Sequence, residues 1–113
     1  MAVNALPDGR TASVIKVVGA AEYETVAASQ TAQVLGGAGA TGDYLEGVLC
    51  VVSTAATSQV TILDGATSII VFPNSPGSGI GTYYVPINAF SVTGPWKVTT
   101  GAGVAVLATG DFT

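Results

Sequence analysis

The pattern of apolar and polar positions is most informative between residues 42 and 72, where it predicts three consecutive β-strands. These strands cover Tyr44–Val52, Gln59–Leu63 and Thr67–Phe72. Asp64 and Gly65 lie between the second and third strands, and this dipeptide favours the two positive φ angles of a type I′ turn. The sequence therefore predicts a β-hairpin around Asp64-Gly65, flanked by β-branched runs.

Two of these strands are apolar on both faces. Residues 48–52 and 69–72 are unbroken apolar runs, and a strand of this kind is covered on both sides. The second cover is either another subunit or, where the strand lies at the centre of a sandwich, a loop. The first alternative predicts a homodimer or other small oligomer, with contacts through Val48, Cys50, Val52, Ile70 and Phe72.

Further short strands are predicted at Ser13–Val18, Thr31–Leu35, Thr82–Ile87, Ala89–Thr93, Pro95–Thr100 and Val104–Thr109. The last two form a second predicted hairpin around residues 101–103. Residues 22–33 mix alanines with β-branched residues, so helix and strand both remain open there. About eight or nine short strands with Gly and Pro turns predict an all-β protein, an antiparallel β-sandwich that is jelly-roll-like.

The chain has 113 residues, enough for one domain with one hydrophobic core. We expect this β-sandwich domain to cover residues 13–113. Residues 1–12 contain Pro7 and an Asp8-Gly9 turn signal without periodicity, which predicts an extended arm that becomes ordered by docking. The longest predicted loop, residues 73–81, is a second candidate for contact with a partner.

Charge is scarce in this sequence. Charged residues make up 9% of the chain, against about a quarter in ordinary domains, and only three are Lys or Arg, which gives a formal net charge of −4. Binding to nucleic acid or to an anionic membrane needs clustered cations, so we expect neither partner. A surface this poor in charge suits a component of an assembly better than a free monomer.

The reactive groups point away from catalysis. The chain has no His, and its single cysteine, Cys50, lies among valines, where a small buried hydrophobe is expected. Asp43 and Glu46 are close enough in sequence for a catalytic carboxylate pair, but a loop end and a solvent-facing position explain them more simply. Residues 37–42 fit G-x-G-x-x-G, yet a predicted strand follows instead of the helix that binds pyrophosphate. We expect no enzymatic activity, no cofactor and no metal.

The larger polar aromatic residues leave three interpretations open, because they occur in sandwich cores, in interfaces and in sugar-stacking surfaces. For Trp96 the core is the expected location, and the others are Tyr44, Tyr83 and Tyr84.

Three segments of the chain resemble small virion proteins of tailed bacteriophages, above all the capsid decoration (cement) proteins of short-tailed phages. They are Gly42–Leu49 (GDYLEGVL), Thr61–Gly65 (TILDG) and Gly94–Phe112 (GPWKVTTGAGVAVLATGDF). The likeness runs from about Ser29 to the end, whereas the N-terminal arm matches no pattern of the family. The resemblance implies a jelly-roll-like sandwich, often dimeric, that binds the outer shell across junctions between major capsid subunits and has no catalytic residues.

The partners implied are the major capsid protein and a second copy of this chain, on the exterior of a virion after synthesis in the host cytoplasm. We expect contacts with the capsid in the arm and the long loop, at Val3, Asn4, Leu6, Pro7, Arg10, Asn74, Pro76 and Ile80. The alternative is a head-fibre or tail adaptor that binds a glycan or receptor. That alternative requires exposed aromatic rings beside carboxylates or amides.

Overall fold

The computed structural model describes residues 21–55, 58–73 and 79–113, which form two four-stranded antiparallel sheets. The strands are β1 (Glu22–Val26), β2 (Gln33–Val34), β3 (Tyr44–Val52), β4 (Val60–Asp64), β5 (Thr67–Phe72), β6 (Gly81–Phe90), β7 (Trp96–Thr99) and β8 (Val104–Asp111). Their order is β1-β8-β3-β6 in one sheet and β2-β7-β4-β5 in the other. This is the strand order of a jelly roll, so the predicted fold class is confirmed.

The core lies between the inner faces of the two sheets. Along β8 every second side chain is buried, which is the pattern of a strand with one covered face. The same alternation places Ile62 of β4 and Val98 of β7 opposite it, both without exposed surface. Trp96 closes one end of the core at 3% exposure, as expected for this residue.

Five side chains were predicted to mediate self-association, and for four of them the prediction is wrong because they lie in the core. Val48, Cys50 and Val52 are at most 1% exposed, and Phe72 is 8% exposed. The opposite sheet of the same chain covers these four residues, so no second subunit is needed to remove them from water. Ile70 differs from them because its side chain is 57% exposed.

The predicted C-terminal hairpin is also wrong. β7 pairs with β2 and β4, whereas β8 pairs with β1 and β3 in the other sheet. Residues 100–103 therefore cross between two layers instead of turning within one. The physical reason is that the apolar sides of both strands face the same core, each from its own sheet.

For residues 22–33 the sequence left helix and strand open. The first part of this segment is a strand, β1, whose Val26 pairs with Val106 of β8. The predicted strands Thr82–Ile87 and Ala89–Thr93 are corrected to a single strand, β6, that runs through Pro86 and stops at Phe90. β6 is an edge strand, the place in a sheet where proline is tolerated. The predicted strand Ser13–Val18 and the arm of residues 1–12 lie outside the described residues.

The hairpin between β4 and β5 is confirmed, but its turn is shifted by one residue. Asp64 pairs with Thr67, so the turn residues are Gly65 and Ala66. Gly65 has a φ of 60°, and Ala66 is not among the residues of positive φ. Positive φ at the first turn position alone is the pattern of a type II′ turn, not of the predicted type I′.

Asp43 connects the loops at one end of the sandwich. Its carboxylate accepts hydrogen bonds from the Ala40 N–H (3.0 Å), the Thr113 N–H (3.0 Å) and the Thr113 hydroxyl (2.6 Å). Its backbone oxygen accepts the Trp96 indole N–H (2.9 Å) and the Ser91 N–H (2.9 Å). Asp43 is 6% exposed, so this buried acid joins three loops to the core.

We expect Asp43→Ala to lower the free energy of unfolding by about 2 kcal/mol, because donors in a partly buried site lose their acceptor. Chemical denaturation measures this change. Glu46→Ala is the matched control, since Glu46 is exposed, and a surface change of this kind alters stability by less than about 0.5 kcal/mol. Equal effects of the two substitutions would contradict the role of Asp43.

Candidate interaction surface

The outward side of the β1-β8-β3-β6 sheet carries a group of apolar and aromatic side chains. Tyr23 is 69% exposed, Phe90 54% and Tyr84 53%, on three strand positions that face away from the core. We call this surface the outer face and define it by Tyr23, Tyr44, Leu49, Val51, Tyr84, Phe90 and Leu107. Exposed apolar groups on neighbouring strands mark a surface suited to contact with another protein.

Strand register makes the outer face continuous. Leu49 of β3 lies opposite Leu107 of β8 and Tyr84 of β6, so these side chains form one row across the sheet. Val51 follows two residues along β3 and has 38% of its surface exposed. Opposite side chains on one face lie about 5 Å apart at Cβ, which is contact distance for residues of this size.

A glycine leaves room for the Tyr84 ring. A Cβ atom added at Gly47 would lie 2.2 Å from the Tyr84 hydroxyl oxygen and 2.5 Å from Cζ. The phenol ring therefore crosses from β6 onto β3 and covers Gly47, which is buried although it faces outward. The absence of a side chain at residue 47 makes this position of the ring possible.

At one end of the outer face, Tyr44 and Phe90 form an aromatic pair. Their ring centroids are 5.0 Å apart with an interplanar angle of 51°. The Tyr44 hydroxyl donates to Oδ1 of Asn88 (3.1 Å), and Asn88 has a φ of 52° next to a bulge in the sheet. Asp111 lies opposite Tyr44 on β8, so rings, an amide and a carboxylate occur together.

The acidic residues serve mainly as acceptors for backbone N–H groups. The Asp64 carboxylate accepts from Val92 (3.0 Å), Thr93 (3.0 Å) and Gly94 (3.3 Å). Glu24 accepts the Gly36 N–H at 2.7 Å. These bonds tie loops to strand ends, and the Asp43 carboxylate does the same for Ala40 and Thr113.

Glu22 is a further acidic group of this kind, because its Oε1 accepts the Phe112 N–H at 2.7 Å. Within the described ranges, no group of three or more His, Cys, Asp or Glu residues is arranged to hold a metal ion.

The Gly-rich loop also binds the chain itself. The N–H groups of Gly37, Ala38 and Gly39 all donate to the backbone oxygen of Thr113, at 3.1, 3.2 and 3.3 Å. Successive N–H groups of this kind form a nest that suits an anion or an oxygen atom. Here β3 follows the loop, as predicted, and the nest is occupied by a residue from the end of β8.

Most of the residues predicted to contact a capsid lie outside the described ranges, namely Val3, Asn4, Leu6, Pro7, Arg10, Asn74 and Pro76. Ile80 is described and is 70% exposed just before β6. Tyr83 is one of the aromatic residues considered in the sequence. Its ring centroid lies 5.3 Å from that of Phe72, and its hydroxyl donates to the Gly79 backbone oxygen at 2.9 Å.

Sequence reasoning missed Tyr23, Leu49, Phe90 and Leu107 as surface residues. The signal in the sequence was that both faces of β3 are apolar. The outward face was assigned to side chains that lie in the core. Val48 and Leu49 are equally apolar, and alternation does not say which of two such sets faces outward. The second sheet makes that choice by covering Val48.

Comparison with protein-family models, with curated proteins and with solved structures finds no match to this chain. None of the described residues forms a helix of the length and apolarity needed to cross a membrane.

We expect Cys50 to be inert towards thiol reagents in the folded protein at neutral pH. Burial raises the pKa of its thiol from 9.0 to about 11, and the thiolate is the reactive form. Labelling of native protein is expected to proceed only as fast as the sandwich opens, whereas protein in denaturant reacts at once. Rapid stoichiometric labelling of native protein would refute this assignment.

We expect Asp64 to contribute stability at neutral pH that is lost in acid. Removal from water alone raises the pKa of Asp64, but hydrogen bonds from the N–H groups of Thr93, Val92 and Gly94 and from the Thr93 hydroxyl lower it below 3.8 overall. Since the folded pKa lies below the unfolded one, the contribution is complete above about pH 5 and disappears as pH falls through the folded pKa.

The test is the difference in unfolding free energy between the native sequence and Asp64→Asn, measured from pH 7 to pH 2. The native sequence is expected to be more stable at pH 7, with the difference shrinking below about pH 4. A difference that is constant across this range would show that the charge of Asp64 is not involved.

Proposed function

We propose that this protein is a structural virion protein that decorates the outer surface of a phage capsid and stabilises the shell by bridging major capsid subunits. The observation that supports this proposal best is the exposed, charge-poor outer face of the β1-β8-β3-β6 sheet. It joins the resemblance to decoration proteins with a surface that is suited to a flat protein partner. The protein would be made in the host cytoplasm and reside on the capsid exterior.

The composition of the outer face matches the centre of a protein interface. Such centres are enriched in aromatic residues and depleted of charge, and Tyr is among the residues that carry most binding energy. Tyr23, Tyr84 and Phe90 are each more than half exposed. Burying them against a shell would remove large apolar surfaces from water.

The stabilising mechanism is mass action. A protein that binds the assembled lattice, and not free subunits, lowers the free energy of the assembled state by about 2.7 kcal/mol per site at a concentration 100 times its Kd. Many sites add their effects. Because the contacts are apolar, we expect shell binding to depend only weakly on salt concentration.

A second candidate function is that of a head-fibre or tail adaptor that binds a glycan or receptor. It is favoured by one observation, the cluster of Tyr44, Phe90, Asn88 and Asp111, which combines aromatic rings with polar groups. Two results together would favour this candidate over decoration. The protein would bind soluble sugars and lose that binding in Phe90→Ser, and shells would resist heat equally with and without the protein.

We expect Tyr23→Ser and Tyr84→Ser each to weaken binding to stripped capsids about 10- to 100-fold, because each removes an aromatic anchor from the outer face. Co-sedimentation with particles that lack the protein measures the Kd. Val92→Ser is the matched control, since Val92 is 76% exposed but lies in the loop between β6 and β7. Deletion of residues 1–12 tests the proposed contact of the arm in the same assay.

Heating complete and stripped particles tests the role itself. Stripped particles are expected to lose DNA at a lower temperature than complete ones, and adding back the native protein is expected to restore their heat resistance. If stripped shells resist heat as well as complete ones, the decoration role is wrong. If the role holds but the tyrosine variants bind normally, the assignment of the outer face is wrong.

A further inference from the structure

The edge formed by β5 differs from the other edges of the described sheets. An exposed edge strand is a template for pairing, and proteins protect it with charges, proline, bulges or short length. β1 carries Glu22 and Glu24, β2 has two residues, and β6 is interrupted by Pro86 and the bulge at Asn88. β5 has six residues, TSIIVF, without a charge or a proline, and its one register shift lies at the Phe72 end.

The register of the β4–β5 hairpin identifies the backbone groups that face this open edge. Asp64 and Thr67 flank a two-residue turn, and residues in this position exchange hydrogen bonds across the hairpin. Bonded and non-bonded pairs then alternate, so Ile69 is bonded to β4. The N–H and C=O groups of Ser68 and Ile70 consequently point away from β4, towards the open edge.

The side chains of β5 are only partly covered. Ile69 lies opposite Ile62 and faces the core with it. Ile62 has no exposed surface, yet Ile69 is 41% exposed because no described strand lies beyond β5. Ile70 on the other side is 57% exposed. Another strand beside β5 would cover both isoleucines and satisfy the open backbone groups.

We propose that β5 pairs antiparallel with β5 of a second copy of this chain, which joins the two β2-β7-β4-β5 sheets into one continuous sheet. One register uses both open residues of each strand. In it, Ser68 pairs with the Ile70 of the other copy, and the two-fold axis passes between the two Ile69 side chains. The irregularity of β5 near Phe72 lies outside this contact.

A second copy fits this edge better than an unrelated strand for two reasons. The contact is uncharged, so two chains of net charge −4 meet without opposing carboxylates, whereas self-pairing at β1 would oppose Glu22 and Glu24. Pairing of an edge with itself is isologous and closes at two copies. The β5 pairing forms in solution, whether or not the protein binds a shell.

Sedimentation at micromolar concentration tests the proposal. The native protein is expected to be a dimer, while Ile69→Lys and Ser68→Pro raise the dimer Kd at least about 100-fold. Ser68→Pro removes an N–H that faces the open edge and no bond to β4. Val92→Lys adds the same charge as Ile69→Lys, but at an exposed loop position, and it is expected to remain dimeric.

Cross-linking tests the register and does not rely on a destabilising substitution. In the proposed dimer, residue 69 faces itself as a non-bonded pair with Cα atoms about 4.5 Å apart, within reach of a disulfide. Ile69→Cys is expected to form a covalent dimer on oxidation, and Ser68→Cys is not, because its two positions are offset beyond about 7 Å. The native Cys50 is buried and serves as a silent background.

A native protein that sediments as a monomer at about 100 μM would overturn the proposal, and so would a dimer that persists in both edge variants. Covalent dimers from Ser68→Cys in place of Ile69→Cys would overturn the register. A monomer that still binds capsids would reject the β5 pairing and leave the decoration role standing, so the two proposals fail separately.

Discussion

The structure depends on the hydrogen bonds of one buried carboxylate. Asp43 follows the Gly-rich loop, and its two side-chain oxygens bind Ala40 and Thr113 while its backbone oxygen binds Trp96 and Ser91. A jelly roll has connections that cross between its sheets, and its loops must be fixed to each other for the strands to keep their order. Because a charged acceptor forms stronger hydrogen bonds than a neutral one, a single acid is well suited to this task.

The other acidic residues extend the same principle. Asp64 binds the loop between β6 and β7 to the end of β4, Glu24 binds Gly36, and Glu22 binds Phe112. A chain with three basic residues has few ion pairs available, and backbone N–H groups take their place as partners. The carboxylates are thereby placed at the loops and edges, which leaves the centre of the outer face to uncharged side chains.

That distribution shapes the possible contacts of the molecule. The outer face offers the ring of Tyr84 over Gly47 and the exposed ring of Tyr23, and aromatic side chains of this kind have few rotatable bonds to order on binding. The edge of β5 offers backbone groups instead, and these recognise another strand largely independently of its sequence. One chain therefore has two surfaces with different chemistry, one suited to a flat protein partner and one suited to a strand.

The sequence by itself determined the all-β character, the bounds of β3 and β5, the hairpin that joins β4 to β5 and the burial of Trp96, because alternation and turn residues act over a few neighbouring positions. Only the tertiary structure decided that Val48, and not Leu49, faces the core, and that β7 and β8 lie in different sheets. It also made one strand of residues 81–90. These outcomes depend on which distant strand covers which face, and two equally apolar faces in a local pattern carry no information about that choice.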